Sequence, residues 1–452
     1  MEAKLTKDSI DLAQLNIPRL FARYFIPTLM GMLSMSAMTA IDGIFVGHAV
    51  GADGIAAINI CVPIFMVATG LGLMMGAGCS VVASIHMAQQ KLKAARINVT
   101  QAMLFATFAI LALIIPMMLF PSATGRLLGS SEELLPMVRE YMIGFLPGEL
   151  FGVWEALLLF VIRLDGSPRL AMWCNVVAAL ANIVLDWLMI VVFGWGLMGA
   201  AVASTLSMLI GGLISLWYMF FAAKQLRLIR LKWSRRSLKY SLRNIGYQCT
   251  IGLSALMGES TMAVLALVGN YVFGSYLGDA GIGAFGIACY YTPFVFMIGN
   301  AVAQSAQPIV SFNYGAGDQR RVSKTLRVAL VTAVACGLVV STAFIWFPTQ
   351  LVALFVSSKE AAFPLAVEGF PYIATAFVFF IVNLTCIGYF QSVERVRPAM
   401  TFALLRGVVF LVPSFVLLPM VAGDKGIWLA LGLSEMLTTL SIAGYVAVSR
   451  RI

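Results

Sequence analysis

Six carboxylates lie within long apolar stretches of the sequence, where charged groups are rare. Asp42 lies four residues before the segment VGHAVGADGIAAI, and Asn175, Asn182 and Asp186 are spaced i, i+7 and i+11. That spacing places the three side chains on one face of a helix. Burial of an ionisable group inside a membrane costs free energy. Each of these carboxylates therefore predicts a function, unless hydrogen bonds between helices satisfy it. The remaining acids are Glu149, Glu155, Glu259 and Glu435.

Two carboxylates at similar depth in one bundle could bind a monovalent cation together. Asp42 and Asp186 each lie in an apolar stretch that would cross the membrane from inside to outside, and each lies in the half of its stretch nearer the outside. We therefore expect the two carboxylates to form such a pair. They would share a proton, or hold Na⁺ together with Asn182 and a hydroxyl of Ser204 or Thr205. The alternative is a structural role, with both carboxylates satisfied by hydrogen bonds between helices.

A second group of polar residues predicts a substrate cavity. Glu259 and Asn270 share one face of an apolar stretch, and a polar stripe runs from Asn300 to Ser311 on the next. Glu259 would contact a cationic substrate or couple a second ion, and a structural role for it stays open. The residues predicted to line the cavity are Asn175, Glu259, Asn270, Tyr290, Asn300, Gln304 and Gln307.

Membrane-spanning helices must position these side chains. The chain has 452 residues, is 61% hydrophobic and only 11% charged, and has a mean hydropathy of +0.93, which excludes a soluble globule and a disordered chain. About 20 apolar residues cross the hydrocarbon layer, and backbone groups in lipid need partners within their own segment, so each span is a helix. Twelve spans are predicted, at 24–47, 55–86, 98–120, 138–162, 170–193, 197–222, 246–273, 282–312, 326–347, 367–391, 399–421 and 426–449.

The basic residues predict the orientation of these spans. With the N-terminus inside, 26 of the 30 Lys and Arg residues fall at cytoplasmic ends, among them Lys4, Lys7, Arg406, Arg450 and Arg451. The net charge of +10 therefore reflects topology, and nucleic acid is not expected as a partner. We predict a monomeric, multi-pass protein of a bacterial-type cytoplasmic (inner) membrane with both termini cytoplasmic, in contact with membrane lipids.

The two halves of the sequence repeat each other. The segment that starts at Gly166 overlies the one that starts at Val396 at an offset of 230, and Val46 overlies Phe273 at an offset of 227. Six spans per half predict parallel repeats around a central cavity that opens alternately to each side. We expect a cytoplasmic segment (1–23), an N-lobe (24–223), a basic cytoplasmic linker (224–245) that contacts lipid headgroups, and a C-lobe (246–452).

Several functions lack their motifs in this sequence. It contains no GxxxxGK[ST] loop, so transport would be driven by an ion gradient. The sequence shows no cluster of a nucleophile with a base, or of metal ligands, that would indicate an enzyme. No cofactor is expected, and the coupling ion would be H⁺ or Na⁺. The seven cysteines lie in apolar stretches without close pairing and predict no disulfide framework.

The chain resembles the multidrug and toxic compound extrusion (MATE) transporters over nearly its whole length. The resemblance rests on IDGIFVGHAVGADGIAAINICVPIF with Asp42, NIVLDWLMI with Asn182 and Asp186, GWGLMGAAVAST, and GLSALMGES with Glu259. It implies an all-α membrane fold of two six-helix bundles and H⁺ or Na⁺ binding at Asp42, Asn182 and Asp186.

The same resemblance implies antiport of hydrophobic, often cationic, organic compounds. Some members also carry an acid on span ten, where the matching segment PYIATAFVFF has Tyr372 and no acid. Relatives in the wider superfamily flip lipid-linked sugars, so a lipid or lipid-linked precursor flippase is the alternative function. A flippase would predict a basic groove, whereas the charge inside these spans is acidic.

Overall fold

The protein is almost entirely helical in a computed structural model that describes residues 11–231 and 234–449, apart from the side chains at 52, 235–237, 279 and 449. No strand occurs within those two ranges. The basic residues Lys4, Lys7, Arg450 and Arg451, and with them both chain ends, lie outside the described residues.

Eleven described helices are long and apolar enough to cross a membrane, and the last of them bends at Gly423 into two, which yields the twelve predicted spans. We number these spans α1 to α12. They are α1 (Ile17–Ala49), α2 (Ala52–Ala88), α3 (Leu92–Leu119), α4 (Leu135–Leu164), α5 (Pro168–Val192), α6 (Gly196–Ala222), α7 (Leu238–Gly278), α8 (Ala280–Gly315), α9 (Gln319–Trp346), α10 (Thr375–Ser392), α11 (396–422) and α12 (424–448).

Two spans differ from their expected bounds. The helix that continues as α7 starts at Arg235, so the second half of the predicted linker 224–245 is helical. Basic side chains are compatible with a helix that extends into the headgroup region, where their charges reach water. Span ten is divided into Ala362–Ile373, which contains Pro371, and α10 itself.

The repeat of the sequence is also present in the backbone. α3 and α9 each have 28 residues and begin and end at an offset of 227, and short helices that start at Pro121 and Pro348 follow them. Gly51 and Gly278, again 227 apart, have φ values of +87° and +62°, which only glycine adopts without strain. The two halves therefore share turns as well as helices.

The chain folds into two compact units. The first comprises Met1–Leu256 with Ser311–Gln319, and the second comprises Met257–Val310 with Arg320–Ile452. In the first unit, α4 is the most deeply buried span and packs against α2 and α6.

Two groups of aromatic rings pack inside the second unit. Phe273 stacks on Phe285 at 4.6 Å between ring centroids and meets Trp428 edge-on at 4.7 Å. A second group centres on Phe344, which stacks on Phe370 at 4.9 Å and meets Phe377 edge-on at 4.9 Å. Such aromatic pairs stabilise the unit beyond the area that they bury.

Candidate functional site

Asp42 on α1 and Asp186 on α5 come together inside the first unit. Their carboxyl groups are neighbours that interact electrostatically, and the Asp186 side chain is completely buried. Two carboxylates in contact repel unless one carries a proton or a cation lies between them. The structure therefore brings together the two carboxylates that the sequence singled out, and their proximity favours binding of a proton or a cation.

The local backbone brings Asp186 to this position. α1 packs along α5, and Asp186 ends the α-helical part of α5, after which a π-helical turn runs from Trp187 to Val192. π-helical turns are rare within α-helices and often occur at functional sites.

Several polar atoms at the pair have no hydrogen-bond partner, although buried carboxylates normally accept hydrogen bonds. Within the described residues, no donor reaches Oδ1 of Asp42 or either carboxylate oxygen of Asp186. Asn182, one helical turn before Asp186, is also fully buried, and neither of its amide atoms has a hydrogen-bond partner there. Buried polar groups are nearly always paired, so this set of unpaired oxygens is suited to a ligand.

Tyr141 of α4, which the sequence did not single out for this site, lies near the pair. The buried hydroxyl of Tyr141 is within electrostatic range of Asp42, Asp186 and Glu149. Glu149 is itself buried, and its Oε1 has no partner within the described chain. Because Tyr141 is adjacent to Glu140 in a mixed stretch at the start of α4, its sequence gives no signal that its side chain points inward.

The other residues predicted for the cation site lie on α6. Ser204 is buried, and its carbonyl accepts a hydrogen bond from Ser207 at 2.8 Å. The hydroxyl of Thr205 donates to the carbonyl of Gly144 on α4 at 2.7 Å. Its proton is therefore used between helices, which leaves an oxygen lone pair as the only contribution that Thr205 could make to a cation.

The residues predicted to line a substrate cavity differ in their burial and belong to both units. Asn175 is buried between α5 and α1, where its Nδ2 lies against Gly31. In the second unit, Asn270 and Tyr290 are exposed, Glu259 and Asn300 are half-buried, and Gln304 and Gln307 are buried. The common role of these seven residues stays a prediction.

A buried ion pair in the C-lobe is the clearest feature that the sequence did not predict. Arg406 donates to Oε1 of Glu435 at 2.7 Å, and both side chains are 1% exposed. Asn383 donates to the second carboxylate oxygen at 2.7 Å, and Thr439 donates to Asn383 at 2.8 Å. Arg406 also lies over the ring of Phe380 at 4.0 Å. Glu435 therefore connects α10, α11 and α12.

This pair corrects one assignment from the charge count. Arg406 is not a cytoplasmic end charge, since it is buried ten residues into α11 in the π-helical turn Leu405–Val409. Two opposite charges on consecutive apolar spans were the signal that could have revealed the pair.

The oxygen donors of the Asp42 pair suit a monovalent cation better than a transition metal. Within the described residues, no group of three or more His, Cys, Asp or Glu side chains could hold a metal ion. Two carboxylates and one amide, from Asp42, Asp186 and Asn182, offer only hard oxygen ligands, which are typical of Na⁺-like ions and not of zinc.

The MatE family model matches residues 27–188 and again residues 255–416, an offset of 228 at both ends. The chain belongs to the MatE family. The double match of one model also supports the internal repeat. The carboxylates of Asp42 and Asp186 fall in the first MatE match, and Arg406 falls in the second.

Curated MatE relatives extend over nearly the full chain. The FAD transporter of Shewanella oneidensis is 23% identical and covers 98% of this chain and 97% of its own length. The multidrug export protein MepA of Staphylococcus saprophyticus is 23% identical over 92% of this chain and 91% of its own. Its membership of the MatE family and its membrane-length apolar helices together identify this protein as a multi-pass membrane transporter.

Solved MatE structures share the fold. An outward-facing multidrug resistance MATE family transporter of the MOP superfamily matches with a TM-score of 0.89 at 21% identity, over 99% of each chain. A MOP superfamily transporter from Pyrococcus furiosus, described as having a binding pocket of reverse polarity, matches with a TM-score of 0.88 at 21% identity, over 99% of each chain. At these identities the likeness concerns the fold alone.

Proposed function

We propose that this MatE protein is a secondary active antiporter that exports hydrophobic, often cationic, organic compounds in exchange for H⁺ or Na⁺. The observation that carries the proposal is the buried contact of Asp42 with Asp186, which no donor within the described residues neutralises. A carboxylate pair of this kind requires a proton or a cation, and an ion gradient across the membrane supplies either.

In the proposed cycle, the cation binds at Asp42, Asp186 and Asn182 in the outward-open form. Removal of the repulsion between the two carboxylates lets α1 and α5 pack differently, because the pair lies between these two helices, which pack along each other. That rearrangement weakens the hold on the substrate and favours return to the inward-open form, so inward flow of cations drives export.

The membrane and its orientation are part of this proposal. We place the chain in a bacterial-type cytoplasmic membrane as a monomer, with both termini cytoplasmic, because that orientation puts most basic residues inside. Its partners would be organic cations and membrane lipids.

Transport by purified protein in proteoliposomes tests the proposal. Export of a fluorescent organic cation is measured with a proton gradient and a sodium gradient imposed separately. We expect one gradient to drive export, and expect Asp42→Asn or Asp186→Asn to reduce it to the level of empty liposomes. Asp53→Asn, the same change at an exposed position at the start of α2, is the matched control and keeps full activity. Full activity of both buried variants, with normal protein levels, would refute the proposal.

Export of a dinucleotide is a second candidate, because the relative that covers 98% of this chain is an FAD transporter. FAD carries phosphates, so its transport would require basic groups toward the substrate, whereas Arg406 is already paired with Glu435. Proteoliposomes loaded with FAD, under the same two gradients, distinguish the candidates: efflux of FAD without efflux of organic cations would favour the second.

A further inference from the structure

A recess lies among the ends of α2, α3 and α7 within the first unit. Its volume is about 560 Å³, and its lining includes His86 at the end of α2, Asn98 near the start of α3, and Tyr240 and Arg243 near the start of α7. All three helix ends belong to the basic side of the protein, which also holds Lys91 and Lys93.

The lining of the recess is suited to an anion. None of the described residues that line it is acidic, while Arg243 provides five N–H donors. Nδ1 of His86 donates to the carbonyl of Val82 at 2.8 Å, which fixes the orientation of the ring at the recess.

Hydrogen bonds between α3 and α7 hold the wall of the recess in place. Asn244 donates to the side-chain carbonyls of both Asn98 and Gln101, and Gln248 donates to Asn98 at 2.9 Å. Gln101 in turn donates to Ser241 at 2.8 Å. Because these hydrogen bonds tie α3 to α7, the recess is preformed, and its positive charge comes from Arg243.

Two tyrosines indicate the environment that the recess faces. Tyr240 and Tyr247 line it and are 51% and 45% exposed, and the guanidinium of Arg243 lies over the ring of Tyr240 at 5.7 Å. Exposed tyrosines near the ends of membrane spans are typical of the headgroup layer, where the ring and the hydroxyl meet different surroundings.

We infer that this recess binds the phosphate of an anionic phospholipid headgroup, with Arg243 as its principal contact. The lipid is the source of the phosphate because the recess lies at the ends of spans, at headgroup depth, between exposed tyrosines. The site is independent of the cation pair and of the substrate that is exported.

Native mass spectrometry of the full-length protein, titrated with phosphatidylglycerol or phosphatidylcholine, tests the inference. We expect phosphatidylglycerol to bind more tightly, and Arg243→Gln to weaken its binding about ten-fold, the effect of losing one hydrogen bond between charged groups. Arg230→Gln is the matched control, since Arg230 is exposed in the same basic stretch and does not line the recess. It should change the affinity less than two-fold, and both variants should melt at the wild-type temperature.

Two results would overturn the assignment. Equal losses in Arg243→Gln and Arg230→Gln, or no loss in either, would show diffuse attraction of lipids without a site. Displacement of phosphatidylglycerol by millimolar glycerol 3-phosphate or FAD would show a soluble-phosphate site instead. Failure of this test leaves cation-driven export untouched, because none of its measurements depends on transport.

Discussion

The N-lobe and the C-lobe both bury carboxylates, but these carboxylates meet different partners. In the N-lobe, Asp42 and Asp186 meet each other, and no donor within the described residues reaches Asp186. In the C-lobe, Glu435 meets the guanidinium of Arg406 at 2.7 Å and the amide of Asn383. One arrangement needs a positive charge from solution, and the other already contains one.

The internal repeat allows this comparison position by position. At the offset of 230, Glu435 corresponds to Thr205 and Arg406 to Val176, while Asp186 corresponds to Val416. Neither lobe therefore has the charged groups of the other. On the proposed function, exchangeable cations act on the Asp42–Asp186 pair of the N-lobe, whereas Arg406 of the C-lobe connects α10, α11 and α12 through Glu435 and Asn383.

The largest effect is expected when the C-lobe loses its own cation. Arg406→Met leaves the Glu435 carboxylate buried without a counter-charge, which should lower the free energy of unfolding by about 3–5 kcal/mol. Thermal melting of the purified protein measures this loss. Arg126→Met is the control, since Arg126 pairs with Glu132 at 2.9 Å on an exposed surface and should melt as wild type. If both variants melted at the same temperature, the buried pair of Arg406 with Glu435 would not stabilise the C-lobe, which would contradict this comparison of the lobes.

A double substitution sharpens the same point. Arg406→Met with Glu435→Met removes both charges, and replacement of a buried pair by apolar groups is often neutral. We expect the double variant to recover most of the stability that Arg406→Met loses and to keep cation-driven export. A double variant no more stable than the single one would mean that Arg406 stabilises the lobe by packing, for example on Phe380.

A smaller effect is expected from Asn182 in the N-lobe. Asn182→Ala removes one oxygen ligand and leaves both carboxylates, so the cation concentration that gives half-maximal export should rise about ten-fold, equivalent to ~1.4 kcal/mol. Asn175→Ala, on the same face of α5 but against Gly31, should leave that concentration unchanged. The same shift in both variants would indicate a general loosening of α5.

The smallest effect is expected from Tyr141. Tyr141→Phe removes a hydroxyl near Asp42 and Asp186 but keeps the ring stacked on Phe145 at 5.3 Å. Export at a fixed gradient should fall about three-fold, the range of a single net hydrogen bond. Loss as complete as in Asp186→Asn would instead place Tyr141 among the groups that hold the cation.

The sequence predicted those features that depend on composition and spacing. Twelve spans follow from apolar length, and the Asp42–Asp186 pair follows from the rarity of acids in such spans and from their matching depth. Contacts that depend on the rotation of one helix against another did not follow. Arg406 lies near enough to a span end to be counted with the cytoplasmic charges, and Thr205 lies next to Ser204 but bonds to α4.

The residue at which the α7 helix starts also could not be predicted from the sequence. Basic residues at 235–245 fit a loop or a helix in the headgroup layer equally well, and the hydrogen bonds of Asn244 and Gln248 to α3 favour the helix.

Direct measurement of bound cations tests the asymmetry of the two lobes most closely. Proton release on addition of Na⁺, or binding of radioactive Na⁺, is measured per mole of purified protein. We predict about one exchangeable cation per chain in the wild type and in Arg406→Met with Glu435→Met, and none in Asp42→Asn with Asp186→Asn. Cation binding that survives in the N-lobe variant, or that is lost in the C-lobe variant, would contradict the asymmetry.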